Sequence, residues 1–276
     1  MTAIENNPSK PSSQGERTFE MSLDVRADAA SVWHALSDAT ELARWFPLEA
    51  RVDPGKGGRI FLSWGPDCQG EAPITGWEPG RRLAWREQMT MPGGTESVQI
   101  TVEFILDSHP DGVTLRLIHS GMGAEPEWDG YFDSISNGWK FELRGLRHYL
   151  ERHMGRDRDV IWVRQRVTGD PATIAARLVG PEGSLLCGTV AGLTAGDTCT
   201  LEGTEGSIGA VIEVNALPRS LVLRLPSWEE TLLRLELEMS GGKGEVWVWL
   251  STYGWSPARR DSVERALRAK IEQAFS

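Results

Sequence analysis

The sequence predicts an α+β protein of two tandem domains, each a curved antiparallel sheet wrapped around a long C-terminal helix. One order of elements occurs twice, short glycine- and proline-containing turns join consecutive strands, and each copy ends in an amphipathic helix. A sheet with one apolar face buries that face economically against the apolar stripe of a helix. We expect a disordered leader at 1–17, a first domain with an internal cavity at 18–154 and a second, shortened domain at 155–276.

The composition indicates which kinds of binding partner and which cellular location to expect. The 276 residues are 40% hydrophobic and 25% charged, which is typical of globular proteins. A net charge of -10, from 29 basic and 39 acidic side chains, argues against binding to nucleic acid. No apolar run is long enough for membrane insertion, and neither a secretory segment nor a cysteine framework is visible. A cytoplasmic location is therefore expected.

Each copy opens with a strand followed by a short capped helix. In the first copy, apolar residues alternate from Phe19 to Val25, and Asp28 stands where a helix N-cap is expected. The same pattern returns 142 residues later, where Asp170 precedes Pro171 at a position that tolerates proline. These matches, with others in the same order downstream, predict a tandem duplication.

The later strands and the closing helices supply the apolar faces. Apolar residues at every second position predict two consecutive strands that share one apolar face, which ends at a histidine. The residues on this face are Val98, Ile100, Val102, Phe104, Leu106, Val113, Leu115, Leu117 and His119. Helical spacing predicts a long helix over 134–153 and its counterpart over 260–275.

Several motifs of the first copy resemble a known family. They are VWHALSD at 32–38, LARWF at 42–46, GWEP at 76–79, HSGM at 119–122 and GW at 138–139. They resemble proteins similar to the C-terminal domain of the heat-shock-protein ATPase activator, in the START-like (SRPBCC) superfamily of helix-grip folds. The resemblance covers about 18–153, and it reaches 160–276 mainly through the internal repeat. It implies a helix-grip fold and a link to chaperone ATPases and the stress response, while fold alone does not select a function.

The favoured interpretation is that the first domain binds a small, mostly apolar ligand between its long helix and its sheet. Twelve tryptophans in the chain are consistent with a pocket lined by aromatic rings and equally with plain filling of the core. His119 is expected to be the polar anchor, the alternative being a histidine bonded to backbone at the end of a strand. The candidate ligand-binding residues are Trp45, Phe46, Trp64, Trp85, Phe104, Leu117, His119, Trp139 and Leu143.

Two other functions remain open at this stage. One is a protein-interaction module associated with a chaperone ATPase. The other is a cyclase- or hydrolase-like enzyme acting on a hydrophobic substrate, with His119 and a carboxylate such as Glu87 in acid–base roles. No catalytic set, cofactor motif or metal site is predicted, and the five-residue spacing of His148 and His153 is expected to place them on different sides of the helix.

The second copy carries a candidate interface. Trp247 and Trp249 alternate with Val246, Val248 and Leu250, so they are expected to face away from the closing helix. Adjacent outward tryptophans favour a buried seam, either between the two copies or with a second chain in a homodimer. A site for an external partner is the remaining interpretation.

Overall fold

The computed structural model describes residues 4–7, 16–90 and 97–276. The chain divides into two compact units, Met1–Gly155 and Arg156–Ser276. Each unit is built on one eight-stranded sheet and ends in a long helix. The predicted α+β fold class, with a helix closing each copy, is confirmed.

Within its described residues, the first unit has eight strands and three α-helices. Its strands are β1 Glu5–Asn7, β2 Glu16–Val25, β3 Glu49–Asp53, β4 Arg59–Ser63, β5 Gln69–Glu78, β6 Arg82–Thr90, β7 Ser97–His109 and β8 Gly112–Gly123. Its helices are α1 Ala29–Ser37, α2 Ala39–Ala43 and α3 Asp129–His148, with a 3₁₀ turn at Pro126–Trp128 and a π-helical turn at Tyr149–His153.

The order of strands in the first sheet places β8 between β2 and β7. The order is β1-β2-β8-β7-β6-β5-β4-β3, and every neighbouring pair is antiparallel. Across three neighbouring strands, His119 pairs with Val102 and Val102 pairs with Trp85. Because side chains alternate along a strand, these three residues form one row on the same face. That face is the buried one, against which the helices pack.

The second unit repeats this plan with shorter connections. Its strands are β9 Arg158–Thr168, β10 Val179–Gly180, β11 Leu186–Cys187, β12 Thr198–Gly203, β13 Gly206–Ala216, β14 Ser220–Leu225, β15 Thr231–Ser240 and β16 Lys243–Tyr253. Its helices are α4 Pro171–Leu178 and α5 Pro257–Phe275, with a 3₁₀ turn at Pro226–Trp228. In both units the first long strand pairs with the last strand before the closing helix, as β2 with β8 and β9 with β16.

The helix caps also repeat between the units. The Asp28 side chain accepts from the backbone N–H of Ser31 at the start of α1, and Asp170 accepts from that of Thr173 at the start of α4. These bonds satisfy N–H groups that have no partner within a helix, and they lower the pKa of both carboxyls. The predicted caps are therefore present in both copies.

Three boundaries differ from the predictions. Of the leader predicted to be disordered, residues 1–3 and 8–15 lie outside the described residues, whereas Glu5–Asn7 forms a strand and β2 begins at Glu16. These short polar segments gain order by pairing with a neighbouring strand, which periodicity cannot reveal. The closing helices begin earlier than predicted, at Asp129 and Pro257.

Candidate functional site

Ring-to-ring contacts join most of the predicted ligand-binding residues in one buried cluster. Phe46 stacks on Trp45 and on Trp139, with ring centroids 4.9 and 5.0 Å apart. Phe104 continues the series, with centroids 5.7 Å from those of Trp139 and of Trp85. We call this set the aromatic cluster, and its members are Trp45, Phe46, Trp64, Trp85, Phe104, His119 and Trp139.

The two aliphatic members of the predicted set are fully buried in the same unit. Leu117 lies on β8 and pairs with Phe104 on β7. Leu143 lies on α3, one turn after Trp139. All nine predicted residues are thus placed in the first unit, on the buried face of its sheet or on the elements that cover it.

His119 is the polar member of the aromatic cluster, and it is 3% exposed. The indole N–H of Trp139, on α3, donates to its Nδ1 over 2.9 Å. The partner is therefore a side chain, whereas the alternative interpretation expected His119 to bond to backbone. Its Nε2 is buried and has no hydrogen-bond partner among the described residues. Phe19 lies beside the ring at a centroid distance of 5.1 Å.

Burial removes the charge of His119 at neutral pH. Desolvation lowers the pKa of the imidazole from 6.5 to about 3, because the cation would lose its hydration among aromatic rings. A group with so low a pKa is a weak general base near pH 7. The neutral ring, held by Trp139, is therefore suited to hydrogen bonding more than to proton transfer.

A β-bulge follows His119 on the same strand. Register along β2 and β8 shifts between Arg17 and Thr18, leaving Gly121 as the extra residue. Gly121 has φ of +96°, and a Cβ there would stand 2.2 Å from the carbonyl oxygen of Gln99. Only glycine fits this position without moving the backbone, which explains the glycine of the HSGM motif.

A rim of three half-buried residues and one exposed residue borders the aromatic cluster and shares Trp64 with it. The Phe46 ring meets the ring of Trp64, which is half-buried, at a centroid distance of 5.0 Å. Burial and the nearby charges of Glu87 and Cys68 raise the pKa of Tyr131 to about 12. Trp64 itself donates its backbone N–H to the carbonyl of Cys68 over 2.8 Å. We call Trp64, Cys68, Glu87 and Tyr131 the rim.

Glu87 is held by a second indole of the aromatic cluster. Trp85 Nε1 donates to its carboxylate over 2.8 Å, while burial raises the pKa of this carboxyl. Both candidate acid–base residues named from the sequence are therefore fixed by tryptophan N–H groups. They stand two strands apart, His119 on β8 and Glu87 on β6.

Arg17 fastens the segment that leads into α3. Its guanidinium donates to the carbonyls of Ala124 and Glu125 over 2.8 and 3.2 Å and pairs with Asp129 at 2.6 Å. It also lies 5.6 Å from the centroid of the Phe132 ring, which packs edge-on against Phe19. We call residues 124–132 the cover, since Phe132 meets Phe19 and Phe19 lies against His119.

The second unit has a different interior. Its core cluster consists mainly of Leu, Ile and Val side chains together with Trp228, and Tyr253 and Trp249 are also buried in this unit. At the offset of 133 that relates β8 to β16, Thr252 stands at the place of His119 and donates to the carbonyl of Asp159. The second unit thus lacks the histidine of the first.

Two surface depressions of about 560 Å³ each lie in the second unit. One is bordered by residues between Val179 and Leu217, the other by residues between Thr198 and Ser227. Apart from Cys199, no titratable side chain lines either among the described residues. Neither depression includes a predicted site residue.

The tryptophans of the candidate interface lie on the sheet face opposite the core. Trp249 is 8% exposed and Trp247 is half-buried, while their neighbours Val246, Val248 and Leu250 belong to the core. Their rings contact Trp162, and the guanidinium of Arg164 lies 5.5 Å from the Trp247 ring centroid. Their role in an interface remains a prediction.

The spacing argument for His148 and His153 is wrong. Their ring centroids lie 4.9 Å apart, because α3 ends in a π-helical turn whose i to i+5 pattern brings residues five apart to the same side. Within residues 4–7, 16–90 and 97–276, no group of three or more His, Cys, Asp or Glu side chains could hold a metal ion. None of the helices there combines the length and apolar character needed to cross a membrane.

Comparison with known proteins finds a family whose model matches most of the first unit. Residues 26–151 match the family described as activator of Hsp90 ATPase homolog 1-like protein, so the resemblance of the first copy is confirmed. No curated protein matches the chain.

Three solved structures of low sequence identity are similar. Protein MLL2253 from Mesorhizobium loti is 23% identical with a TM-score of 0.43, covering 50% of this chain and 98% of its own. CalU16 from Micromonospora echinospora is 24% identical with a TM-score of 0.43, covering 55% and 89%. DynU16, a protein of the dynemicin biosynthetic locus, is 18% identical with a TM-score of 0.40, covering 92% and 98%.

Proposed function

Given that residues 26–151 match the Hsp90 ATPase activator-like family, we propose that the first unit binds a small, mostly apolar ligand between α3 and the sheet. The observation that carries this proposal is the aromatic cluster itself. Aromatic side chains provide large contact areas for apolar ligands, and such sites need few polar groups. The cluster joins α3 to the sheet through Trp139 and has a half-buried edge at the rim.

The ligand enters at the rim and replaces ring-to-ring contacts. The cluster rings contact one another at centroid distances of 4.9–6.3 Å, so binding requires some of them to move. Trp64 is half-buried and its ring lies edge-on to the Phe46 ring at the margin of the cluster, so its rotation disturbs the fewest buried contacts. Side-chain rearrangement of this kind is common when a partner binds.

The contrast between the two units supports the first unit as the binding unit. The second has a mostly aliphatic core cluster that includes Trp228, with a threonine where the first has His119. Aliphatic side chains pack without special geometry, whereas the stacked and edge-on rings of the first unit offer faces to a flat ligand. The second unit is accordingly a scaffold in this proposal.

The test is a fluorescence titration of the full chain with the neutral probe N-phenyl-1-naphthylamine. We expect saturable binding at one site, with quenching of tryptophan emission. Trp85→Leu should weaken binding about 3- to 10-fold, since an aromatic contact contributes roughly 0.5–1.5 kcal/mol beyond its area.

The matched control is Trp228→Leu, which removes a comparably buried indole from the second unit. It should leave the dissociation constant unchanged. Absence of saturable binding to the wild type, or equal weakening by both substitutions, would contradict the proposal.

A second candidate is interaction with a chaperone ATPase, favoured by the description of the matched family. It would use the surface of the first unit and would need no ligand. Purified Hsp90 with and without the full chain distinguishes the two: a stimulated rate of ATP hydrolysis that apolar probes do not alter supports the interaction module.

The enzymatic alternative is weaker for the pair His119 and Glu87. The lowered pKa of His119 removes its basicity near pH 7, and Trp139 occupies the nitrogen that lacks a proton.

A further inference from the structure

We infer that the ligand of the first unit carries a neutral hydrogen-bond acceptor, such as a ketone, quinone or amide oxygen, that accepts from Nε2–H of His119. The inference rests on the proposed function and adds the chemical class of the ligand. It is based on which ring nitrogen of His119 carries the proton, and the hydrogen bond from Trp139 determines this.

The Trp139 indole fixes the tautomer of His119. An indole nitrogen is a donor only, so the imidazole nitrogen 2.9 Å from it must be an acceptor without a proton. A neutral imidazole carries its proton on the other nitrogen, which is Nε2. The lowered pKa is consistent with this neutral form across the physiological range.

The Nε2–H donor is buried and lacks a partner within the described part of the chain. Leaving a buried donor unpaired costs roughly 1–3 kcal/mol, so such groups in native proteins call for an explanation. Here the donor lies in the aromatic cluster, within the unit proposed to bind an apolar ligand. An acceptor on that ligand would pair it.

The same geometry selects against charged ligands. A carboxylate would be desolvated among the rings of Phe19, Phe104 and Trp139, with one neutral donor to compensate. A protonated amine has only donors, so it would present a donor to the Nε2–H donor. A neutral carbonyl oxygen can accept the hydrogen bond from Nε2–H, and the apolar remainder of such a ligand can contact the aromatic rings. The ligand would therefore match both the donor and its apolar surroundings.

The experiment compares two probes of the same shape. 2-Acetylnaphthalene has a carbonyl oxygen where 2-isopropenylnaphthalene has a methylene group, so the dissociation constants of the pair report the acceptor. Between wild type and His119→Phe, we expect the preference for the ketone to fall about tenfold, the factor that corresponds to one buried hydrogen bond of roughly 1.4 kcal/mol. The exposed histidine variant His34→Phe should keep the full preference.

A second readout does not depend on the variant. In the wild type, ¹⁵N NMR of the His119 ring should show the proton on Nε2 from pH 5 to 8, and the Nε2 signal should shift with the ketone but not with the alkene.

The outcomes separate the two proposals. If both probes bind and the variant leaves their ratio unchanged, or if the proton is on Nδ1, the acceptor inference is overturned and the binding function stands. If neither probe binds, the proposed function fails.

Discussion

His119 shows how one side chain acquires its chemistry from its neighbours. Sequence periodicity places it on the inner face of β8, and the structure confirms that it is buried there. Its partner could not be predicted, because Trp139 lies 20 residues away on another element and meets His119 only through the packing of α3. The lowered pKa follows from that packing and not from the local sequence.

The pKa of His119 predicts how stability depends on pH. Its folded pKa of about 3 lies below the unfolded value near 6.5, so the unfolded chain binds the proton more readily between these values. The contribution of His119 is therefore complete above pH 6.5 and is lost as the pH falls toward 3, by up to ~1.4 kcal/mol per pH unit.

The measurement compares urea unfolding of the wild type and His119→Gln, whose amide oxygen still accepts from Trp139. The difference between their free energies of unfolding should be constant from pH 7 to 8 and should shift in favour of the variant below pH 6.5. A difference that stays flat down to pH 4 would mean that the imidazole is solvated or charged in the folded state.

At the scale of elements, the cover residues 124–132 differ most from what the sequence predicts. Helical spacing predicts that the long helix begins at 134, yet the structure has a 3₁₀ turn at Pro126–Trp128 and starts α3 at Asp129. The order comes from tertiary contacts, since Trp128 is 4% exposed and Phe132 packs on Phe19. Local propensity cannot reveal such contacts, and the π-helical turn after His148 escaped prediction for the same reason.

Arg17 is expected to control how often the cover opens. Arg17→Met removes both bonds to the carbonyls of Ala124 and Glu125. The Asp129 partner is 62% exposed, so the ion pair itself should contribute little. We expect amide hydrogen exchange in 124–132 to accelerate roughly tenfold, as loss of charged hydrogen bonds of about 1.5 kcal/mol would produce.

Arg166→Met makes the same change of charge at an exposed position of the second unit and serves as the control. It should leave exchange in the cover unchanged. Equal protection of 124–132 in both variants would show that the apolar contacts of Trp128 and Phe132 hold the cover without Arg17.

At the scale of the whole molecule, the repeat could be predicted because local sequence patterns, such as the capping residues and turn glycines, recur in both copies. The capping residues Asp28 and Asp170 bond in the same way, and Gly121 and Gly254, related by the offset of 133, both have positive φ. The different interiors of the two copies could not be predicted as directly, because they depend on which side chains contact one another in the fold. In the first unit a cluster of aromatic rings lies among aliphatic core residues, whereas the core cluster of the second unit is mostly aliphatic.

The central claim, that an apolar ligand binds inside the first unit, is tested most directly by ¹⁹F NMR of the full chain labelled with 5-fluorotryptophan. Each resonance is assigned with single Trp→Phe variants, and 2-acetylnaphthalene is then added. We predict that the resonances of Trp64, Trp85 and Trp139 shift together and saturate, while those of Trp228 and Trp247 stay in place. Shifts confined to the second unit, or no saturating shift, would contradict the account.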